Sequence, residues 1–181
     1  MKKIPFRVTP MLATLEAKPF SRANWIYEEK YDGVRMLAYK EGPHVQLISR
    51  NLIDRTERYP KIAKAIRKLK TERIALDGEI VVFDSKHISR FQLLQQGKGE
   101  PEYAVFDCLF HGGKDLRQDP LRERRKVLEG LLGLDGILFL SAKVAADGVK
   151  AFQIARKRGY EGIVCKNLDS VYESRRSRQW L

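Results

Sequence analysis

An α+β domain, built of mostly antiparallel sheets flanked by helices, is the fold class this sequence predicts. Strand-like runs with period-two alternation dominate the chain. They come in succession, and helical patterns fall between groups of strands rather than after every strand. At 181 residues the chain suffices for one large domain or two small ones. At that size folding buries roughly 70% of the accessible surface, so a core needs no staples.

Taken in order, WIYEEK (25–30), VRMLAYK (34–40) and HVQLIS (44–49) read as strands, with Gly42 and Pro43 marking a hairpin turn between the last two. RYPKIAKAIRKLK (58–70) places Ile62, Ile66 and Leu69 on one helical face and lysines on the other. RIALDGEIVVFD (73–84) and YAVFDCLF (103–110) are further strands. DPLRERRKVLEGLLG (119–133) reads as a helix with Asp119 as N-cap, Pro120 at the first helical position and a stop near Gly133. GILFLS (136–141) is a strand. DGVKAFQIARKRG (147–159) is a helix opened by Asp147 and closed by Gly159, with basic residues in its last turn. GIVCK (162–166) is the final strand. No internal repeat or low-complexity linker interrupts the series.

A net charge of +12 points to a polyanionic partner, nucleic acid first. Basic residues open the chain in MKKIPFRVTP, but no apolar stretch follows them, so no secretory leader is expected. No run approaches the ~20 apolar residues of a membrane span. Cys108 and Cys165 both lie in apolar runs and read as buried thiols of a reducing compartment. His44, His87 and His111 show no zinc spacing with them.

Chemistry concentrates in a few stretches. In EEKYDGVR (28–35), strand alternation sets Ile26, Glu28 and Lys30 on one face. Asp32-Gly33 is a tight-turn signal, so Lys30 and Arg35 are expected to flank one hairpin corner. A second cation nearby would push the amine below its ordinary value of about 10.4, and a neutral amine is a nucleophile. An exposed turn with ordinary ion pairs accounts for the same residues. In LDGEIVVFD, Asp77 and Glu79 share a strand face with Val81 and Phe83. Buried carboxylates need partners, whether a cation, a ribose or salt bridges. In YAVFDCLF, Ala104, Phe106, Cys108 and Phe110 share a face, and Phe106 suits either a stacked base or plain core. In YEGIVCKN, Gly162 permits a bend that turns Glu161 inward, while Lys166 closes the strand. No G-x-x-x-x-G-K-[ST] loop occurs, so a nucleotide site here is not of the P-loop kind.

Lys30-Tyr31-Asp32-Gly33-Val34-Arg35, Ser49-Arg50-Asn51, Asp77-Gly78-Glu79, YAVFD with Phe106, and Glu161 through Lys166 occur in the order of an ordered motif set. In that order and spacing the chain resembles the adenylation (nucleotidyltransferase) domain of ATP-dependent DNA ligases. It is most similar to the ligase domain of multifunctional bacterial end-joining enzymes. PMLA (10–13), FQLLQ (91–95) and 115–132 are ligase-like accessory stretches. The resemblance covers essentially the whole chain, residues 1–181, and implies the ATP-grasp-like nucleotidyltransferase fold.

The resemblance also implies roles. Lys30 attacks the α-phosphorus of ATP and holds AMP as a phosphoramidate. Glu28 contacts the adenine edge and Phe106 stacks on its face. Arg50 and Glu79 hold the ribose, with Arg35 near the sugar and phosphates. Glu161, with Glu79, binds Mg2+ or Mn2+, and Lys166 lies on the phosphate side. AMP then passes to the 5′-phosphate of nicked or broken double-stranded DNA, and the 3′-hydroxyl displaces it. A Ku-type end-binding protein as partner, a monomeric state, and a cytoplasmic, nucleoid-associated location follow from the same resemblance. The family pattern continues past Trp180-Leu181 with a Lys-x-Lys pair and an oligonucleotide-binding-fold domain, both absent from these 181 residues. The chain alone is therefore expected to self-adenylate slowly and not to seal nicks unaided. RNA ligases and mRNA-capping guanylyltransferases share the Lys-x-Asp-Gly core. A non-catalytic basic nucleic-acid-binding module accounts for the charge equally well.

Overall fold

The alternating runs pair into three sheets. The computed structural model describes residues 3–133 and 135–181; Met1 and Lys2, which open the stretch read for a leader, lie outside the described residues. In chain order the strands are β1 (Leu12–Ala13), β2 (Trp25–Lys30), β3 (Val34–Glu41), β4 (His44–Ser49), β5 (Arg73–Val81), β6 (Glu102–His111), β7 (Lys114–Asp115), β8 (Leu138–Leu140), β9 (Lys143–Ala145), β10 (Gly162–Asn167) and β11 (Arg176–Ser177). The helices are α1 (Pro60–Arg67), α2 (Phe91–Gln95), α3 (Leu121–Leu131) and α4 (Gly148–Arg158).

The largest sheet runs β4-β3-β5-β6-β7 with antiparallel neighbours, and β8 adds to β6 in parallel. Gly42-Pro43 is the hairpin turn between β3 and β4, which pair Glu41 with His44. One sheet face carries Met36, Leu76, Ile80 and Tyr103 against Ile62 and Ile66 of α1 and Leu128 of α3. The other carries Leu37, Ile48, Phe106 and Phe110 against Met11, Tyr172 and Trp180. Each fully buried large apolar side chain contributes about 1.5–3 kcal/mol.

A second sheet, β10-β2-β9, is antiparallel and packs Tyr27 and Cys165 against Ala151 of α4. Asp147 caps α4 by accepting from the Lys150 N–H, and Gly159 ends it at φ 78°, both as expected. β1 and β11 pair in parallel.

Asp32-Gly33 is not a hairpin corner, because β2 and β3 lie in different sheets. Gly33 sits where the chain crosses between them. A Cβ there would lie 2.2 Å from the Ile80 carbonyl oxygen, so the crossing needs glycine for closeness rather than for a turn. β5 ends at Val81, short of Asp84, and Phe83 makes an isolated bridge to Ser89. Helix α3 begins one residue later than its N-cap signal indicates. Pro120 is the cap residue, with an extended ψ of 148°, and Asp119 pairs through its side chain with Lys114. α1 is shorter than its apolar pattern, with a 3-10 turn at Thr56–Arg58 before it.

β6 breaks strict alternation. Gly78 faces Val105 but Asp77 faces Asp107, and Leu76 faces Cys108 but Ala75 faces Phe110. Phe106 and Leu109 are thus extra residues on bulges, which re-aim side chains. Cys108 consequently joins the opposite core from Phe106 and Phe110. Both cysteines are buried thiols.

Candidate active site

A cleft of about 380 Å³ opens where the two larger sheets meet. Glu28 and Lys30 from β2, Arg35 from β3, Arg50 after β4, Glu79 from β5, Phe106 from β6, and Glu161 and Lys166 at either end of β10 all line it. Every predicted site residue therefore converges on one place, although they come from different sheets.

Exposure grades along the cleft. The Lys30 side chain is 47% exposed and touches Glu161, itself 39% exposed. Register explains the contact, since Gly162 of β10 pairs with Lys30 of β2 and Glu161 precedes it. Glu28 and Lys166, by contrast, are 2% and 3% exposed and form an ion pair of 2.5 Å. Arg125 of α3 grips the other Glu28 oxygen. Burial pushes the Lys166 ammonium pKa down, partly offset by Glu28.

Asp77 and Glu79 separate into different tasks. Asp77 is fully buried and accepts two Arg35 N–H bonds of 2.6 Å each, plus the Tyr172 hydroxyl at 2.6 Å. This fork holds the guanidinium 4.4 Å from the Phe106 ring centroid. Glu79 forms no ion pair among the described residues. Burial, followed by the opposing pull of Arg35, leaves its pKa raised to about 8. Gly78 between them is dictated by closeness, since a Cβ would lie 2.5 Å from the Ala104 carbonyl oxygen.

Sequence reasoning assigns no individual role to several lining residues. Tyr31, Val164, Arg176 and Trp180 border the cleft. Trp180 is 1% exposed, and its indole N–H has no hydrogen-bond partner among the described residues. Arg124 and Arg125, two adjacent arginines of α3 to which the sequence assigns no role, are both buried. Only the amphipathic break in LRERRKVL hints at this, because basic residues there fall where α3 meets the sheet.

A metal fits this arrangement as a ligand-assisted guest rather than in a cage. Among the described residues no group of three or more acidic, histidine or cysteine side chains is placed to hold an ion. Glu79 and Glu161 supply hard oxygen donors near Lys30, and their mutual repulsion raises the Glu79 pKa further. Mg2+ is commonly held by one or two carboxylates plus phosphate and water, so these donors suit it.

The profile described as ATP dependent DNA ligase domain matches residues 10–181. The chain is 43% identical over 185 residues to the multifunctional non-homologous end joining protein LigD of Pseudomonas aeruginosa, covering 98% of this chain and 22% of that protein. It is 33% identical over 199 residues to DNA ligase 2 of Thermofilum pendens, covering 96% of this chain and 33% of that protein. A solved mycobacterial DNA ligase D, complexed with ATP and MES, superposes with a TM-score of 0.85 at 32% identity, covering 98% of this chain and 60% of the solved one. The chain thus spans about a fifth of the length of the Pseudomonas relative. With ordered stretches, fold and profile in agreement, this chain belongs to the ATP-dependent DNA ligase domain family.

Proposed function

We propose that residues 1–181 form the adenylation domain of an ATP-dependent DNA ligase of the end-joining kind. The observation that carries this is the graded cleft, with an exposed lysine–carboxylate pair at its mouth and buried polar groups beside an aromatic ring in its depth. A triphosphate suits the wet end and a purine the dry end.

In this reading the Lys30 amine attacks the α-phosphorus of ATP. A nitrogen–phosphorus bond forms, the bond to the β-phosphate oxygen breaks, and pyrophosphate leaves with the electron pair. The amine proton passes to water at the open mouth of the cleft, where the Lys30 side chain is 47% exposed. Glu28 contacts the adenine edge, Phe106 meets its face, and Arg50 and Glu79 hold the ribose. Arg35, fixed by Asp77, faces the sugar and phosphates. Glu161 and Glu79 would hold a Mg2+ or Mn2+, which would supply neutralisation of charge on the phosphate oxygens. Lys166 is buried against Glu28, so reaching a phosphate requires it to leave that carboxylate.

AMP then passes to a 5′-phosphate of nicked or broken duplex DNA, and the 3′-hydroxyl displaces it as the strand is sealed. The +12 charge supports a DNA partner, with affinity falling steeply as salt rises. A Ku-type end-binding protein is the proposed macromolecular partner, and the chain acts as a monomer.

Intact-mass measurement after incubation with ATP and Mg2+ tests the central step. The protein gains one AMP, and Lys30→Ala gains none. A GTP adduct in place of AMP replaces this reading with a capping-type transferase. No adduct with either nucleotide leaves a nucleic-acid-binding module.

A further inference from the structure

Arg125 does not line the cleft, yet it grips the carboxylate at the cleft's deep end. It is 4% exposed. Its Nη1 donates to Glu28 Oε1 and lies 3.4 Å from Ser141 Oγ, while its Nη2 donates to the Ser141 carbonyl at 2.8 Å. Ser141 lies between β8 and β9 and is tied to β6 through a 2.8 Å bond from its N–H to the Val105 carbonyl. The guanidinium plane is therefore set by the sheet, and the guanidinium in turn sets the Glu28 carboxylate.

Glu28 presents each oxygen to one cation, Oε1 to Arg125 and Oε2 to Lys166. A carboxylate has about four acceptor sites, so capacity remains for a donor in the cleft. With Oε1 held by Arg125, whose own plane Ser141 fixes, that capacity points in a set direction even when Lys166 leaves Oε2 for a phosphate. It accepts from an exocyclic amino group and repels a carbonyl oxygen at the same place. Site groups that must pair with a particular donor reject analogues lacking it.

We propose that Arg125 is a positioning residue for nucleotide selectivity. Through Glu28 it makes the cleft prefer a 6-aminopurine triphosphate over a 6-oxopurine one. The proposal rests on reading the cleft as the ATP site.

The test compares wild type, Arg125→Gln and Arg125→Lys in rates of adduct formation, followed by intact mass, with ATP, ITP and purine riboside triphosphate, which lacks any 6-substituent. Arg125→Gln raises the KM for ATP about tenfold, with the loss falling on KM more than on the maximal rate. The ratio of kcat/KM for ATP over ITP falls by a similar factor. Values for the unsubstituted purine stay within about twofold, because it offers Glu28 no amino donor. Arg125→Lys, which keeps the charge but loses the fork, falls between, and it carries the test if Arg125→Gln does not fold by circular dichroism. Equal losses for ATP and the unsubstituted purine, or an unchanged ATP-to-ITP ratio, overturn the proposal. A wild-type protein that takes up none of the three nucleotides overturns instead the reading of the cleft on which it rests.

Discussion

The Lys166 ammonium lies 4.2 Å from the centroid of the Phe106 ring and 4.3 Å from that of Trp180. Arg35 lies 4.4 Å from the same Phe106 centroid. The aromatic surface proposed for a base is thus already met by cations, and the bulge at Phe106 aims it towards them. Stacking of a base on an aromatic ring contributes about 1–3 kcal/mol. Phe106→Leu is expected to raise the KM for ATP about tenfold while leaving the AMP adduct on Lys30 attainable at saturation. Steady-state rates over a nucleotide titration check this, and an unchanged KM removes Phe106 from the binding role.

Arg124 and Asp107 form the most enclosed ion pair described, with both side chains fully buried. Two N–H bonds of 2.7 and 2.8 Å join them, and the second Arg124 amine reaches the carbonyls of Asp119 and Ser170 at 2.7 and 2.9 Å. Removing one partner leaves a buried charge alone, at a cost of about 3–5 kcal/mol. Arg124→Ala should therefore lower the urea midpoint sharply. A shift equivalent to under about 1 kcal/mol means the pair is dispensable.

Glu29 gives stability a pH dependence. It is 9% exposed, and one of its carboxylate oxygens is buried with no hydrogen-bond partner among the described residues. Burial, opposed by Arg158, raises its pKa to about 7 from an ordinary 4.5. Between those values the folded protein keeps a proton that the unfolded chain has released, so the contribution is complete below about 4.5 and is lost as pH rises through about 7. At about 1.4 kcal/mol per pH unit the loss is on the order of 3–4 kcal/mol at most. Unfolding of wild type and Glu29→Gln from pH 4 to 8 should show a falling stability whose slope the variant reduces, with Glu79 supplying the fall that remains. Parallel curves for the two proteins exclude Glu29 as the cause.

Gly33→Ala should be costly, because its new methyl would sit 2.2 Å from the Ile80 carbonyl oxygen and 2.9 Å from a Val81 methyl. Overpacking of this kind typically costs about 1–3 kcal/mol. Because Gly33 links β2 to β3, the strain also moves Lys30 relative to Glu79. Slower adduct formation together with a lower melting temperature is expected, and a variant that matches wild type in both shows that the crossing can give way.

Period-two alternation was enough to place the long strands, and the caps of α4 stood out because Asp147 and Gly159 act within a single turn. Sheet membership was not legible at Asp32-Gly33. A glycine needed for close approach and one needed for a turn look alike in sequence, and only the Ile80 carbonyl distinguishes them. The face of Cys108 was misread because the bulge at Phe106 shifts the alternation, and a bulge leaves no mark in residue type. At the cleft, the acids and lysines were legible as an ordered set. Arg125 was not, since its burial depends on Glu28, 97 positions away.

The pairing of β1 with β11, and of Lys30 with Glu161, has a consequence in time. Lys30 and Glu161 are separated by 131 positions, so a growing chain exposes the lysine long before its carboxylate exists. At about 5–20 residues per second, that interval is on the order of ten seconds. The cleft cannot assemble element by element during synthesis; it closes only when the last strands arrive and stitch the two ends of the domain together.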